Sequence, residues 1–134
     1  LPDVVPFADA VHNVGASAMT VAALVQGRLD LLAAATVDRL HEPYRTAAYP
    51  ELPELLAAAR AAGALGACLS GAGSTVIAFS QDPAAAATIA AAMERRALAL
   101  GLTGRALVQA ARAQGATVVA SSTATRHRAG RALA

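Results

Sequence analysis

Leu69-Ser70-Gly71-Ala72-Gly73-Ser74-Thr75-Val76 lies where two short apolar runs, Leu65–Leu69 and Val76–Phe79, meet. Glycine lets a backbone turn tightly, adopt positive φ and approach another group closely. Successive exposed N–H groups in such a turn form an anion-binding nest. Ser70, Ser74 and Thr75 add hydroxyl donors. Two apolar runs around a small-residue turn predict a β-hairpin, with a phosphate-handling loop at its tip. An isolated G-x-G carries two meanings, and a plain tight turn is the commoner one. The rest of the chain has to decide between them.

Downstream of the hairpin, Asp82-Pro83 opens an Ala-rich helix that ends near Gly101, with Asp as N-cap and Pro in the first turn. Arg105–Ala110 and Thr117–Ala120 read as two further strands around a turn at Gly115, although Ala110–Gln114 could equally be helical. Upstream, a helix is expected from Leu52 to Ala62, stopped by Gly63, and another from Leu29 to Leu40. His41-Glu42-Pro43-Tyr44-Arg45 breaks that pattern, because Pro43 disfavours helix at Glu42. From Asp9 to Gln26, Val11, Val14, Ala18, Val21 and Val25 fall at helical spacing, and Gly27 serves as C-cap. Asn13, Ser17 and Thr20 form a polar stripe on the same helix, facing either solvent or a site.

This order predicts an α+β fold in which helices pack against a mostly antiparallel sheet. Its ββαβ portion resembles part of a ferredoxin-like unit. Residues 1–121 are expected to form one domain and residues 122–134 a disordered tail, which holds Arg126, His127, Arg128 and Arg131. The chain starts at Leu1-Pro2 without Met, as a piece of something longer would.

Composition narrows the chemistry. Hydrophobic residues make up 56% of the chain and aromatics only 3%, so the core must be built from Ala, Leu and Val at close approach. All basic side chains are Arg, which excludes a lysine-based phosphate loop or Schiff base. A net charge of +2 is too small to imply nucleic acid. No signal peptide and no membrane span is legible, so a cytoplasmic setting without membrane attachment is expected. The single cysteine, Cys68, reads as a buried, inert thiol. His12 and His41 have no metal-ligand spacing, and no metal site is expected. Asp30 and Asp38 read as partners in surface ion pairs on a helix. Arg45 stands apart, because its irregular Pro-Tyr-Arg segment is of the kind that carries binding residues. A guanidinium there is suited to clamping a carboxylate through two parallel hydrogen bonds.

Four segments together resemble the C-terminal domain of the homoserine kinases, in the GHMP small-molecule kinase superfamily. They are Leu1-Pro2 with Asp9-Ala10-Val11-His12-Asn13, then Asp38-Arg39-Leu40-His41-Glu42-Pro43-Tyr44-Arg45, then Ala62–Ala67 leading into Leu69–Val76, and finally Gly115-Ala116-Thr117-Val118. The glycine loop is similar to the third motif of the superfamily; the Asp38–Arg45 segment is the one that resembles homoserine kinases in particular. The resemblance implies an enzyme that moves the ATP γ-phosphoryl group to the hydroxyl of L-homoserine in threonine biosynthesis, with Mg²⁺ on the phosphates. It implies that Arg45 binds the substrate α-carboxylate, that Asn13 faces the amino acid, and that Asp9 and His12 support that wall. It assigns Ser70, Gly71, Ala72, Gly73 and Ser74 to the loop beside the triphosphate. No catalytic residue is identified.

The Gly-Leu-Gly-Ser-Ser-Ala loop that cradles ATP in that family has no counterpart here. The chain is therefore expected to need the N-terminal half of the same kinase and to be inactive alone. A homodimer is allowed. Two alternatives remain open at this point: a non-catalytic amino-acid-binding or regulatory α+β module, and another GHMP kinase acting on a different small alcohol.

Overall fold

The structure, a computed structural model, describes residues 1–118. The hairpin forms as expected. Strands β1 (Gly66–Leu69) and β2 (Val76–Phe79) pair antiparallel, with Leu69 opposite Val76 and Gly66 opposite Phe79. Helices precede and follow it: α1 (Phe7–Gln26), α2 (Leu32–Ala35) after a 3-10 turn at Leu29–Leu31, α3 (Glu42–Arg45), α4 (Leu52–Ala61) and α5 (Pro83–Ala99).

The caps follow from the sequence. Gly27 closes α1 in the left-handed region at φ 68°, and its N–H donates to Ala23 O. Asp82 caps α5 by accepting from Ala84 N and Ala85 N at 3.1 Å each. The main core joins Leu52, Leu56 and Ala59 of α4 to Ala67 and Leu69 of β1 and Ile89 of α5. A second buried seam holds Ala23 of α1 against Leu32 and Ala35 of α2. Small residues let these elements come close, as the composition requires.

Gly66 carries the closest approach. A Cβ there would lie 2.8 Å from Leu32 O and 2.9 Å from Thr36 Oγ1, so α2 rests directly on β1. Gly66→Ala is expected to destabilise the protein by about 1–3 kcal/mol through overpacking. A lowered urea midpoint would register it, and an unchanged midpoint would mean that α2 is not held against this strand.

Three expectations are corrected. The helix expected over Leu29–Leu40 stops at Ala35. Thr36 turns its hydroxyl back to Leu32 O at 2.8 Å, and the side chain of Asp38 then takes the following N–H groups. Pro43 does not keep Glu42–Arg45 irregular, because it falls in the first turn of α3, where its missing N–H costs nothing. The strand expected at Arg105–Ala110 is not formed. Leu107 and Val108 stay 63% and 51% exposed, and no sheet edge pairs with this segment among the described residues. Its tie to the domain is the Ala106 N–H, which donates to Glu94 Oε1 at 2.6 Å. Thr117 and Val118 are also outside any strand. The expected disordered tail at 122–134 lies outside the described residues.

The apolar residues at helical spacing on α1 do form one helix, but their face is not covered by the described residues. Val11, Val14, Val21 and Val25 are 55%, 73%, 62% and 81% exposed. The helix turns its polar side inward instead.

Candidate functional site

The polar stripe of α1 forms a seam with the segment between α2 and α3. Thr20 Oγ1 lies 3.1 Å from Ala35 O, and His12 Nε2 donates to Val37 O at 3.0 Å. Asn13 clamps both ends of its amide: Nδ2 donates to Asp38 Oδ1 at 2.6 Å, and Oδ1 accepts from Arg39 N at 2.9 Å. Asp9 reaches the Arg39 guanidinium at 3.7 Å. Asp9, His12 and Asn13 therefore converge on residues 37–39. Ser17 does not join them; its hydroxyl returns to Asn13 O.

Asp38 is the hub. The surface ion pair expected of it is corrected, since its hydrogen-bond partners are the Asn13 amide and backbone N–H groups. Beyond Asn13, it accepts from Leu40 N at 2.8 Å, His41 N at 3.1 Å and Glu42 N at 2.8 Å. Glu42 N is the first N–H of α3, and Leu40 and His41 form the turn that leads into it. Burial works to raise the Asp38 carboxyl, but the hydrogen bonds from Asn13 and from Glu42, Leu40 and His41 N–H outweigh it and hold the group below its ordinary value. Asp30, by contrast, is the surface partner it was expected to be, paired with Arg28 at 2.8 Å.

The far end of α3 presents Arg45. Its Nε donates to His41 Nε2 at 2.9 Å, a bond that requires Nε2 to be unprotonated. No carboxylate among the described residues pairs with Arg45. The guanidinium is thus oriented, half-buried and unneutralised, as a receptor for an anion would be.

Glu42, at the start of α3, faces the hairpin. Its Oε1 accepts from Leu69 N at 2.6 Å, and burial is the leading cause that pushes its carboxyl up. Cys68, half-buried in β1, has its thiol pushed up first by burial and then by the charge of Glu42. A cleft of about 240 Å³ opens between these groups, with Asn13, Thr20, Asp38, Glu42 and Cys68 in its wall. Arg45 and the glycine loop lie outside that wall. A larger hollow of about 560 Å³, between α4 and α5, contains none of the site residues.

Leu69 leads into the loop. Ser70 N donates to Thr75 O at 2.8 Å and Gly73 N to Ser70 O at 3.1 Å, which closes the turn. Gly71 and Gly73 take φ 57° and 89°, values that L side chains rarely adopt. Residues 70–75 are all exposed. The N–H groups of Gly71, Ala72 and Ser74 find no acceptor among the described residues, as an anion nest requires.

Comparison with known proteins shows the family of this fold. The family model of the GHMP kinase C-terminal domain matches residues 20–100, more than half of the chain. The chain belongs to the GHMP kinase C-terminal family. Its α+β architecture is that of the GHMP kinase C-terminal domain. The match begins after Asp9, His12 and Asn13, which stand on the N-terminal part of α1.

Similar proteins include the homoserine kinase of Moorella thermoacetica, 46% identical over 98 residues, which are 72% of this chain and 33% of that protein. A homoserine kinase of Thermus thermophilus is 42% identical over 107 residues, 76% of this chain and 37% of that protein. Among solved structures, the crystal structure of homoserine kinase from Cytophaga hutchinsonii superposes with a TM-score of 0.71 at 32% identity, over 75% of this chain and 32% of that one. The chain thus spans about a third of the length of the relatives it matches.

Proposed function

We propose that the chain is the amino-acid-receiving part of a homoserine kinase, an enzyme that transfers the ATP γ-phosphoryl group to the side-chain hydroxyl of L-homoserine. The observation that carries this reading is Arg45: a cation oriented by His41, without a carboxylate partner, joined through α3 to the strand that enters the glycine loop. The homoserine kinase relatives support it.

In this reading Arg45 takes the α-carboxylate of homoserine through a bidentate pair. Asn13, with Asp9 and His12 behind it, holds the Asp38 turn from which α3 projects, and its remaining N–H is available to the amino acid. Ser70, Gly71, Ala72, Gly73 and Ser74 offer N–H and hydroxyl donors to the γ-phosphate. Such transfer is catalysed by positioning and charge neutralisation more than by covalent chemistry. Mg²⁺ would neutralise phosphate charge in the ATP complex. Among the described residues no group of three or more His, Cys, Asp or Glu side chains stands ready to hold it, and in this reading the ion is held mainly by the phosphates themselves.

The rest of the enzyme is the expected partner. The exposed valines of α1 and the uncovered loop both suit a surface that works against another part of the same protein. Among the described residues no helix is long and apolar enough to cross a membrane, and a cytoplasmic, threonine-forming role is part of the reading.

Two assays test it. The full-length gene product should form ADP only when homoserine is supplied. ADP formation with a different small alcohol would favour another GHMP activity, and none at all would favour a binding module. The isolated 134-residue chain should give no homoserine-dependent ADP, and turnover by it would overturn the claim that the phosphate cradle lies elsewhere.

A further inference from the structure

We infer that Glu42 is a positioning residue that sets the spacing between Arg45 and the Ser70–Ser74 loop. The inference takes its substrates from the proposed homoserine kinase reading, and its geometry from the fold alone. Among the described residues helix α3 packs extensively on no other element, which leaves much of its placement to hydrogen bonds. Asp38 fixes its first turn by accepting from Glu42 N at 2.8 Å. The Glu42 carboxylate then leaves the helix and accepts from Leu69 N at 2.6 Å. Among the described residues this is the only side-chain hydrogen bond between α3 and β1. Leu69 is the last residue of β1, and Ser70 next to it anchors the loop through Thr75 O. One carboxylate therefore ties the helix that ends in Arg45 to the root of the phosphate-side turn.

The consequence is catalytic without direct contact. Homoserine held by Arg45 and a phosphate held by the loop react only at the right separation, and a misplacement of about 1 Å costs on the order of 100-fold in rate. Losing the tether should leave each binding group present and spoil their alignment. The loss should therefore fall on kcat more than on KM.

The test uses the full-length protein with Glu42→Ala and Glu42→Gln. Glu42→Ala should lower kcat at saturating ATP and homoserine about tenfold or more, with KM for homoserine changed by less than about threefold. Glu42→Gln keeps an oxygen that can accept from Leu69 N and should restore most of the lost kcat. Hydrogen exchange of the peptide covering residues 66–75 should rise in Glu42→Ala and return towards wild type in Glu42→Gln. A wild-type kcat in Glu42→Ala overturns the inference, as does Glu42→Gln failing as badly as Glu42→Ala. Should the wild-type protein not phosphorylate homoserine, the proposed function falls and the exchange comparison alone decides the tether.

Discussion

Arg45→Ala in the full-length protein is expected to raise KM for homoserine about 30-fold while leaving KM for ATP within about twofold. Truncating one partner of a desolvated, hydrogen-bonded charge pair costs about 2–5 kcal/mol. Arg45 is only half-buried, so the lower end applies, and about 2 kcal/mol corresponds to roughly 30-fold. Arg45→Lys should cost less, about tenfold, because it keeps the charge but loses the planar fork and the Nε–H bond to His41. Steady-state kinetics with each substrate varied in turn checks both variants. An unchanged KM for homoserine would remove Arg45 from the site. A rise confined to ATP would move it to the phosphate side.

Asp38→Ala should be the most damaging change to the structure of the site. It removes the acceptor of Glu42 N, the first N–H of α3, and leaves Asn13 Nδ2 without its acceptor. Loss of a capping side chain costs about 0.5–2 kcal/mol, and hydrogen bonds to a charged group contribute about 1.5–3 kcal/mol. With overlap between the two, about 2–3 kcal/mol of stability should be lost. Asp38→Asn, which can still cap, should lose about half of that. Urea unfolding of the full-length protein measures both, and a loss below about 0.5 kcal/mol would show that α3 is held by other means.

The same variant carries a pH signature. The folded Asp38 carboxyl lies below its unfolded value of 3.8, so its stabilisation is complete above that value and disappears as pH falls through the lower, folded one. The gap between wild type and Asp38→Ala should close in that acid window. Glu42 has the opposite sign. Burial raises its folded value above 4.5, so the pH-linked part of its stabilisation is complete below 4.5 and is lost as pH rises through the folded value, while the bond from Leu69 N favours the carboxylate and offsets part of that loss. A gap that widened in acid would contradict the cap geometry.

Much of the architecture was legible because it depends on local chemistry. Gly27 and Asp82 stop and start helices through bonds made within a turn, and the small residues at 70–74 close a hairpin between two apolar runs. The failures have one physical origin. Helix α2 ends early because Asp38 competes for N–H groups, and that choice is stabilised by Asn13, far away in sequence. The Asp38 cap left a signal, an Asp shortly before a Pro-containing turn, which can be read as a helix start. The Glu42–Leu69 bond left none, because nothing local to Glu42 points to a partner 27 residues away. The valine stripe of α1 makes a related point: periodicity gave the helix, but it reports that a face is apolar, not what covers it.

Residue order alone was enough to establish the α+β class, the hairpin with its glycine turn and the singularity of Arg45, since each follows from backbone freedom, short-range capping or residue chemistry. Folding in three dimensions was needed to make Asp38 a cap rather than a surface charge, to turn Asp9, His12 and Asn13 onto one seam, and to connect Arg45 to the loop through Glu42. Those roles depend on contacts between segments distant along the chain, and the strength of such a contact is set by burial and geometry that no local stretch of sequence contains.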